Sequence, residues 1–165
     1  MNNKSSYIAK GGLFVTLTLI VLYLTTILKF NTLFMLGVAS AIIPLALITT
    51  SLNNSILVFI ASSILCYFLV PVKSVWMLYT LLFGPYGIVK FLLERLRNTT
   101  LEILLKLLYF NLLTFLNFYL YKRLFVPNFT LNYNIVLILI GVQFVFYLFD
   151  YALTVFINAM RKYKL

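Results

Sequence analysis

The chain has 165 residues, of which 64% are hydrophobic and only 10% are charged, and its mean hydropathy is +1.07. Soluble domains carry about 25% charged residues, so this composition cannot cover a water-facing surface. Thirteen Lys and Arg residues stand against three acidic residues and no His, which excludes histidine-based catalysis and imidazole metal sites. The single cysteine, Cys66, excludes an intrachain disulfide and a thiolate metal site.

Six segments of the chain are apolar over roughly the 20 residues that a transmembrane helix needs. In chain order, the predicted spans are residues 11–28, 33–50, 55–72, 75–93, 101–121 and 135–157. The short connections between them predict antiparallel neighbours in one compact bundle. We therefore predict a single all-α domain over residues 1–165, which forms a polytopic integral membrane bundle of six transmembrane helices.

Two connections and two prolines add detail to this prediction. The two-residue link between the third and fourth spans leaves their boundary open, and either segment is also compatible with a re-entrant helix. The longest connection, residues 122–134, contains Pro127 and three Asn residues and predicts a small cap on one end of the bundle. Pro44 and Pro85 are expected to bend the second and fourth spans.

The basic residues predict the orientation of the bundle. With the N-terminus inside, nine basic residues lie on the cytoplasmic side and four lie outside, so the positive-inside rule places both termini in the cytoplasm. The inner nine are Lys4, Lys10, Lys90, Arg95, Arg97, Lys106, Arg161, Lys162 and Lys164, and the outer four are Lys29, Lys73, Lys122 and Arg123. The net charge of +10 is therefore assigned to topology and to contact with anionic lipid in the bilayer. Binding of nucleic acid would need a polar basic face, and the sequence has none.

Polar residues on the sixth span predict an inward-facing stripe. Gln143, Tyr147, Asp150, Thr154 and Asn158 recur at steps of three or four residues and share one helix face. A polar face is costly in lipid, so we expect it to point into the bundle. Asp150 is an intramembrane charge with two interpretations, a ligand for a proton or cation, or an ion pair with Lys90 or Lys106. The ion pair is favoured because a lysine lies at a similar depth and an unpaired carboxylate is expensive there.

Other charged and small residues indicate contacts between helices. Glu94 follows Lys90 by four residues and Lys106 follows Glu102 by four, so each pair can form along its own helix. Small residues at the same spacing allow helix backbones to approach closely. Candidate seams of this kind are Gly12 with Thr16 and Ser62 with Cys66. We favour packing inside the bundle as their role, and docking to a partner protein is the alternative.

The sequence contains no constellation that predicts an enzyme or a bound cofactor. Three acidic residues and no His leave little for general acid–base catalysis. No Ser or Cys stands beside a base, and no Gly-rich loop could cradle a phosphate. We therefore expect a binding or structural role.

Two segments carry a resemblance to a known family. Ile8-Ala9-Lys10-Gly11-Gly12-Leu13 enters the first span, and Leu82-Phe83-Gly84-Pro85-Tyr86-Gly87-Ile88-Val89-Lys90 lies in the fourth. With the six-helix layout, the basic N-terminal segment and the lack of an ATP-binding motif, the chain resembles the substrate-specific (S) components of energy-coupling factor (ECF) transporters. Asp150-Tyr151-Ala152-Leu153 also resembles segments of small membrane proteins from low-GC bacteria. The family's Ala-x-x-x-Ala docking pair is not met, because Leu13 stands four residues after Ala9, and Gly12 and Thr16 are the nearest substitutes.

The resemblance implies a protein of the bacterial cytoplasmic membrane that captures a vitamin-like micronutrient. Transport would be energised by two partner ATPases through a membrane coupling subunit. The substrate would enter from outside and meet polar residues in the outer halves of the fourth to sixth helices, namely Trp76, Tyr79, Asn117, Tyr121 and Gln143. The lack of strong charge in this layer predicts a small neutral or weakly polar ligand.

Two other functions remain open from the sequence. The first is a non-transporting scaffold or accessory subunit of an envelope complex, in which the polar residues only hold helices together. The second is a stand-alone carrier coupled to an ion through Asp150. The carrier is disfavoured because six spans without a visible internal repeat are few for alternating access.

Overall fold

The computed structural model describes residues 3–28, 31–96, 98–124 and 135–162, and their regular structure is entirely helical. Six of the helices are long and apolar enough to cross a membrane, which confirms the prediction of an all-α chain with six apolar helices. They are α1 (Asn3–Ile27), α2 (Thr32–Thr49), α3 (Leu52–Leu69), a composite fourth helix (Lys73–Leu96), α6 (Thr99–Leu124) and α7 (Ile135–Lys162). The predicted cap falls on the connection that follows Leu124, which lies outside the described residues.

Five of the six helices begin before their predicted spans, and the last three also end beyond them, because hydropathy marks only the apolar part of a helix. The structure places the start of α1 at Asn3 and the end of α7 at Lys162. Helices α1, α2 and α3 end one to three residues short of the predicted spans. Local signals set the bounds of α3. The side chain of Ser51 accepts a hydrogen bond from the Asn54 backbone N–H at 3.3 Å, and Pro71 follows the C-cap residue Val70.

The fourth helix changes its pitch in the middle. It consists of α4 (Lys73–Leu78), a π-helical turn (Tyr79–Phe83), α5 (Gly84–Leu93) and a short 3₁₀ turn (Glu94–Leu96). Pro85 has no N–H to donate and its ring would crowd the preceding turn, so a wider turn before it relieves the clash. Pro44 causes no such change, and α2 is helical on both sides of it.

Helices α1, α2, α3 and the fourth helix form the packed core. Its buried residues include Leu22, Leu36, Cys66 and Tyr79, none of which has measurable exposure. Gly87 permits close contact between α5 and α2, because a Cβ placed there would lie 2.6 Å from Cδ of Pro44. The core therefore has no space for an added carbon atom where the fourth helix crosses α2.

Helices α6 and α7 cover one side of this core more loosely. In its most apolar stretch the fourth helix has 56% of its residues buried, against 17% in α6 and 17% in α7. The rings of Phe110 and Phe146 stack with their centroids 4.2 Å apart and join α6 to α7. We call α6 and α7 together the α6–α7 arm. The candidate functional site lies along the boundary between this arm and the core.

Candidate functional site

All three acidic residues of the chain meet two lysines in one ion network at this boundary. Lys90 on α5 pairs with Asp150 on α7, and its Nζ atom lies 3.1 Å from Oε1 of Glu94. Lys106 on α6 places its Nζ 2.5 Å from Oε1 of Glu102, 3.3 Å from Oε1 of Glu94 and 3.7 Å from Oδ1 of Asp150. The network thus joins α5, α6 and α7.

Hydrogen bonds complete the environment of Asp150. The hydroxyl of Tyr86 donates to Oδ1 of Asp150 at 2.6 Å, and Lys90 also donates to Oγ1 of Thr154 at 2.8 Å. Lys90 has no exposed surface and Lys106 is only 5% exposed. A buried lysine is tolerated only with charged or polar partners, and both have several.

This geometry favours the ion-pair interpretation of Asp150. Its Oδ1 atom faces two lysines and accepts a hydrogen bond from a tyrosine hydroxyl, so the negative charge is already paired. The described part of the chain also contains no group of His, Cys, Asp and Glu side chains that could hold a metal ion. The residue that sequence reasoning missed is Tyr86, although it stands four positions before Lys90 and so shares its helix face.

An apolar cavity of about 360 Å³ lies next to the network, between α6, α7 and the fourth helix. Five aromatic side chains form much of its wall, and they are Phe83, Tyr86, Phe110, Phe146 and Phe149. Thr114 also lines it, and the buried Oγ1 of Thr114 has no hydrogen-bond partner within the described parts of the chain. We refer to this space as the aromatic cavity. It offers a ligand aromatic contact area, and the unpartnered hydroxyl of Thr114 is buried within its wall.

A second apolar space, of about 390 Å³, runs between α2 and α7. Residues of the segments 33–41 and 145–156 form its sides, and we call it the α2–α7 groove. It shares Leu33, Phe83, Val145 and Phe149 with the aromatic cavity. The ring of Phe149 packs edge-on to Phe83 with a centroid distance of 5.2 Å, and both rings line both spaces.

None of the five residues predicted to bind substrate is among the lining residues of the cavity or the groove. Tyr79 points into the core, with its hydroxyl 2.8 Å from Oγ of Ser62. Trp76 donates from Nε1 to the carbonyl of Ser63 at 3.0 Å. These two residues therefore join the fourth helix to α3.

The other three are on the α6–α7 arm. Asn117 is buried and donates to the carbonyl of Leu113 at 2.9 Å, and its Oδ1 has no partner among the residues described. Gln143 donates to Oδ1 of Asn111 at 2.5 Å, which links α7 to α6. Tyr121 lies near the end of α6 and is exposed. Depth along a helix indicated a common layer for the five residues, but it did not show which neighbour each side chain faces.

The two predicted small-residue seams differ in their surroundings. Ser62 and Cys66 are fully buried, so this seam packs inside the core. Gly12 and Thr16 lie on an exposed face of α1, and a Cβ placed on Gly12 would meet nothing within 4 Å. The hydroxyl of Thr16 donates to the carbonyl of Gly12 at 3.0 Å, so the side chain of Thr16 is bonded to its own helix.

Comparisons with protein-family models, with curated proteins and with solved structures find no match for this chain. The class of the molecule therefore follows from its own features. Six membrane-length apolar helices indicate a multi-pass membrane protein. Its site combines an internal ion network with an adjoining aromatic cavity.

Proposed function

We propose that the protein is a membrane-embedded capture subunit for a small neutral or weakly polar nutrient. Partner ATPases would energise uptake through a coupling subunit, as in the ECF transporters that the sequence resembles. The observation that carries the proposal is the aromatic cavity, which has a size typical of small-molecule sites. Its wall is apolar apart from Thr114 and Tyr86, and the Tyr86 hydroxyl is already bonded to Asp150.

The chemistry of the wall supports a ligand with an aromatic or otherwise apolar body and one hydrogen-bonding group. Aromatic rings contribute contact area and prefer edge-on or offset contact with another ring. The free Oγ1 of Thr114 can donate or accept one hydrogen bond. A charged ligand would face an unfavourable loss of hydration against these rings.

The membrane placement belongs to the same proposal. The excess of basic residues beside predicted inner ends supports a bacterial cytoplasmic membrane orientation with both termini inside. The open face at Gly12 and Thr16 is the place where a coupling subunit could approach α1 closely. Ser62 and Cys66 take no part in docking in this proposal because they are buried.

The first experiment asks whether the aromatic cavity holds a small molecule. The chain would be purified in mild detergent, and bound small molecules would be extracted, identified by mass spectrometry and tested for rebinding. We expect Val142→Trp, which fills the cavity, to reduce the bound amount about tenfold or more, the equivalent of about 1.4 kcal/mol. Val155→Trp is the matched control, because Val155 lies on the same helix, is exposed and is absent from the walls of both spaces.

An empty wild-type protein, or equal loss in both Trp variants, would contradict small-molecule capture. The alternative is an accessory subunit of an envelope complex, which the open Gly12–Thr16 face also favours. Affinity purification from bacterial membranes separates the two functions. A coupling subunit with two ATPases, lost in Gly12→Leu, supports uptake, whereas an unrelated envelope complex lost in the same variant supports the accessory role.

A further inference from the structure

Tyr86 belongs to the aromatic cavity and to the ion network at the same time. Its side chain is part of the cavity wall, and its hydroxyl donates to Oδ1 of Asp150 at 2.6 Å. Among the described residues, no other residue of the wall has a side-chain hydrogen bond or an ion pair with the network. One buried tyrosine therefore joins the two parts of the candidate site.

Other aromatic rings surround the ring of Tyr86. Its centroid lies 5.4 Å from that of Phe149, 5.7 Å from that of Phe146 and 6.0 Å from that of Tyr109. Contacts of this kind fill space, but each atom pair contributes little and the geometry is only loosely directional. The hydrogen bond to Asp150 is the directional contact of this side chain, so it fixes where the ring lies in the cavity wall.

The oxygen that accepts this hydrogen bond is shared with the lysines of the network. Lys90 donates to the same Oδ1 atom of Asp150, and Nζ of Lys106 lies 3.7 Å from it. A hydrogen bond to an ionised acceptor is about twice as strong as one to a neutral acceptor. The charge on Asp150, which the two lysines stabilise, therefore determines how firmly the ring of Tyr86 is held.

A ligand in the aromatic cavity contacts the wall that Tyr86 helps to form. When only a fraction of the molecules hold a wall residue in the position that fits the ligand, the apparent affinity falls by that fraction. A ring that is fixed before binding avoids this loss, because its freedom does not have to be removed by the ligand.

We infer that Tyr86 is a positioning residue through which the ion network sets the affinity of the aromatic cavity for its ligand. The inference rests on the proposed function, because it concerns the ligand of the same cavity. It gives the network a role in capture besides the joining of three helices. Because such coupling is reciprocal, the bound ligand stabilises the contact between Tyr86 and Asp150 by the same factor.

The test measures binding of the fluorescent amine aminoanthracene, which has an aromatic body and one hydrogen-bonding group. Its emission rises in apolar surroundings, and titrations of empty micelles give the background. Saturable binding that is present in the wild-type protein and lost in Val142→Trp defines the signal of the cavity. We expect Tyr86→Phe to weaken this binding about fivefold, because the ring stays and only its hydrogen bond is lost.

Tyr109→Phe is the matched control for the loss of one hydroxyl. The ring of Tyr109 packs beside that of Tyr86, but Tyr109 is absent from the cavity wall. Its buried hydroxyl has no partner within the described chain. We therefore expect Tyr109→Phe to bind aminoanthracene with the wild-type affinity.

A binding cycle with Asp150 separates positioning from a general loss of packing. Asp150→Asn keeps the shape of the side chain and gives Tyr86 a neutral acceptor, and Asp150 is not part of the cavity wall. We expect binding to be about twofold weaker in Asp150→Asn. The same change should have no further effect in Tyr86→Phe, which has no hydroxyl to donate. A packing defect would lower the affinity in both backgrounds.

The outcomes separate this inference from the proposed function. Unchanged affinity in Tyr86→Phe, equal loss in Tyr109→Phe, or an added loss from Asp150→Asn in the Tyr86→Phe background would overturn the inference and leave nutrient capture standing. A wild-type protein without saturable binding would contradict both. Circular dichroism checks the folding of each variant. If Tyr86→Phe does not fold, wild-type affinity in Asp150→Asn would still overturn the inference.

Discussion

The core and the α6–α7 arm are held by different kinds of interaction. In the core, close backbone contact dominates, and Gly87 and Pro44 leave no room for one added carbon atom. The arm is mostly exposed and is held by the ion network and by aromatic contacts such as Phe110 with Phe146. The cavity and the groove lie where these two regions meet, because side chains of unequal size at a loose boundary leave space that a tight one does not.

This difference also indicates that the α6–α7 arm can move more easily than the helices of the core. Lipid provides no hydrophobic force between membrane helices, so the arm depends on packing and polar contacts for its position. Opening of the boundary would enlarge the aromatic cavity and the groove without disturbing the core. The following substitutions test this division, beginning with the largest expected effect.

Removal of Lys90 should loosen the arm most. Lys90→Met leaves Asp150 with one lysine at 3.7 Å and takes a partner from Glu94, so we expect a loss of about 3–5 kcal/mol in the free energy of unfolding. The measurement is the unfolding midpoint in mixed micelles of mild detergent and dodecyl sulfate, followed by circular dichroism. Lys73→Met is the control, since the Nζ atom of Lys73 lies 4.6 Å from the centroid of the Tyr67 ring and takes no part in the network. An equal loss in both variants would contradict a special role for the network.

An added methyl group should change the free energy of unfolding differently in the core and in the α6–α7 arm. A Cβ on Gly87 would lie 2.6 Å from Cδ of Pro44, whose ring is fixed to the backbone, so Gly87→Ala should cost about 1–3 kcal/mol. Gly141→Ala is the matched variant in the arm, where a Cβ would meet nothing within 4 Å. We expect it to stabilise the protein by about 0.5 kcal/mol. The same unfolding assay checks both, and equal effects would show that the two regions do not differ in packing.

The hydroxyl of Tyr86 should contribute a smaller amount. Tyr86→Phe removes the hydrogen bond to Asp150, and such bonds between membrane helices are worth about 1 kcal/mol. Tyr109→Phe is the matched control, because the buried Tyr109 hydroxyl has no partner within the described chain. We expect the control to keep the wild-type unfolding midpoint. A larger loss in the control than in Tyr86→Phe would contradict the network as described.

The sequence predicted the number and type of helices because a run of apolar residues is a local property. It also indicated the partners of Asp150, since few charges exist inside the spans and each needs an opposite charge. It did not indicate the aromatic cavity. Phe83, Phe146 and Phe149 look like ordinary lipid-facing residues in the sequence, and only the packing of α7 against the fourth helix brings them together. The π-helical turn before Pro85 was also not predicted, because a proline indicates that the helix is irregular but not which kind of turn it adopts.

The most direct measurement of the link between the core and the arm is a double-mutant cycle on Lys90 and Asp150. Unfolding free energies would be measured for Lys90→Met, Asp150→Leu and the combined variant. Because each single change removes the direct partner of the other residue's charge, the combined variant should be less destabilised than the sum of the two by about 1–3 kcal/mol. Additive losses would show that these two residues do not hold α7 to α5, and would contradict an arm held to the core by its ion network.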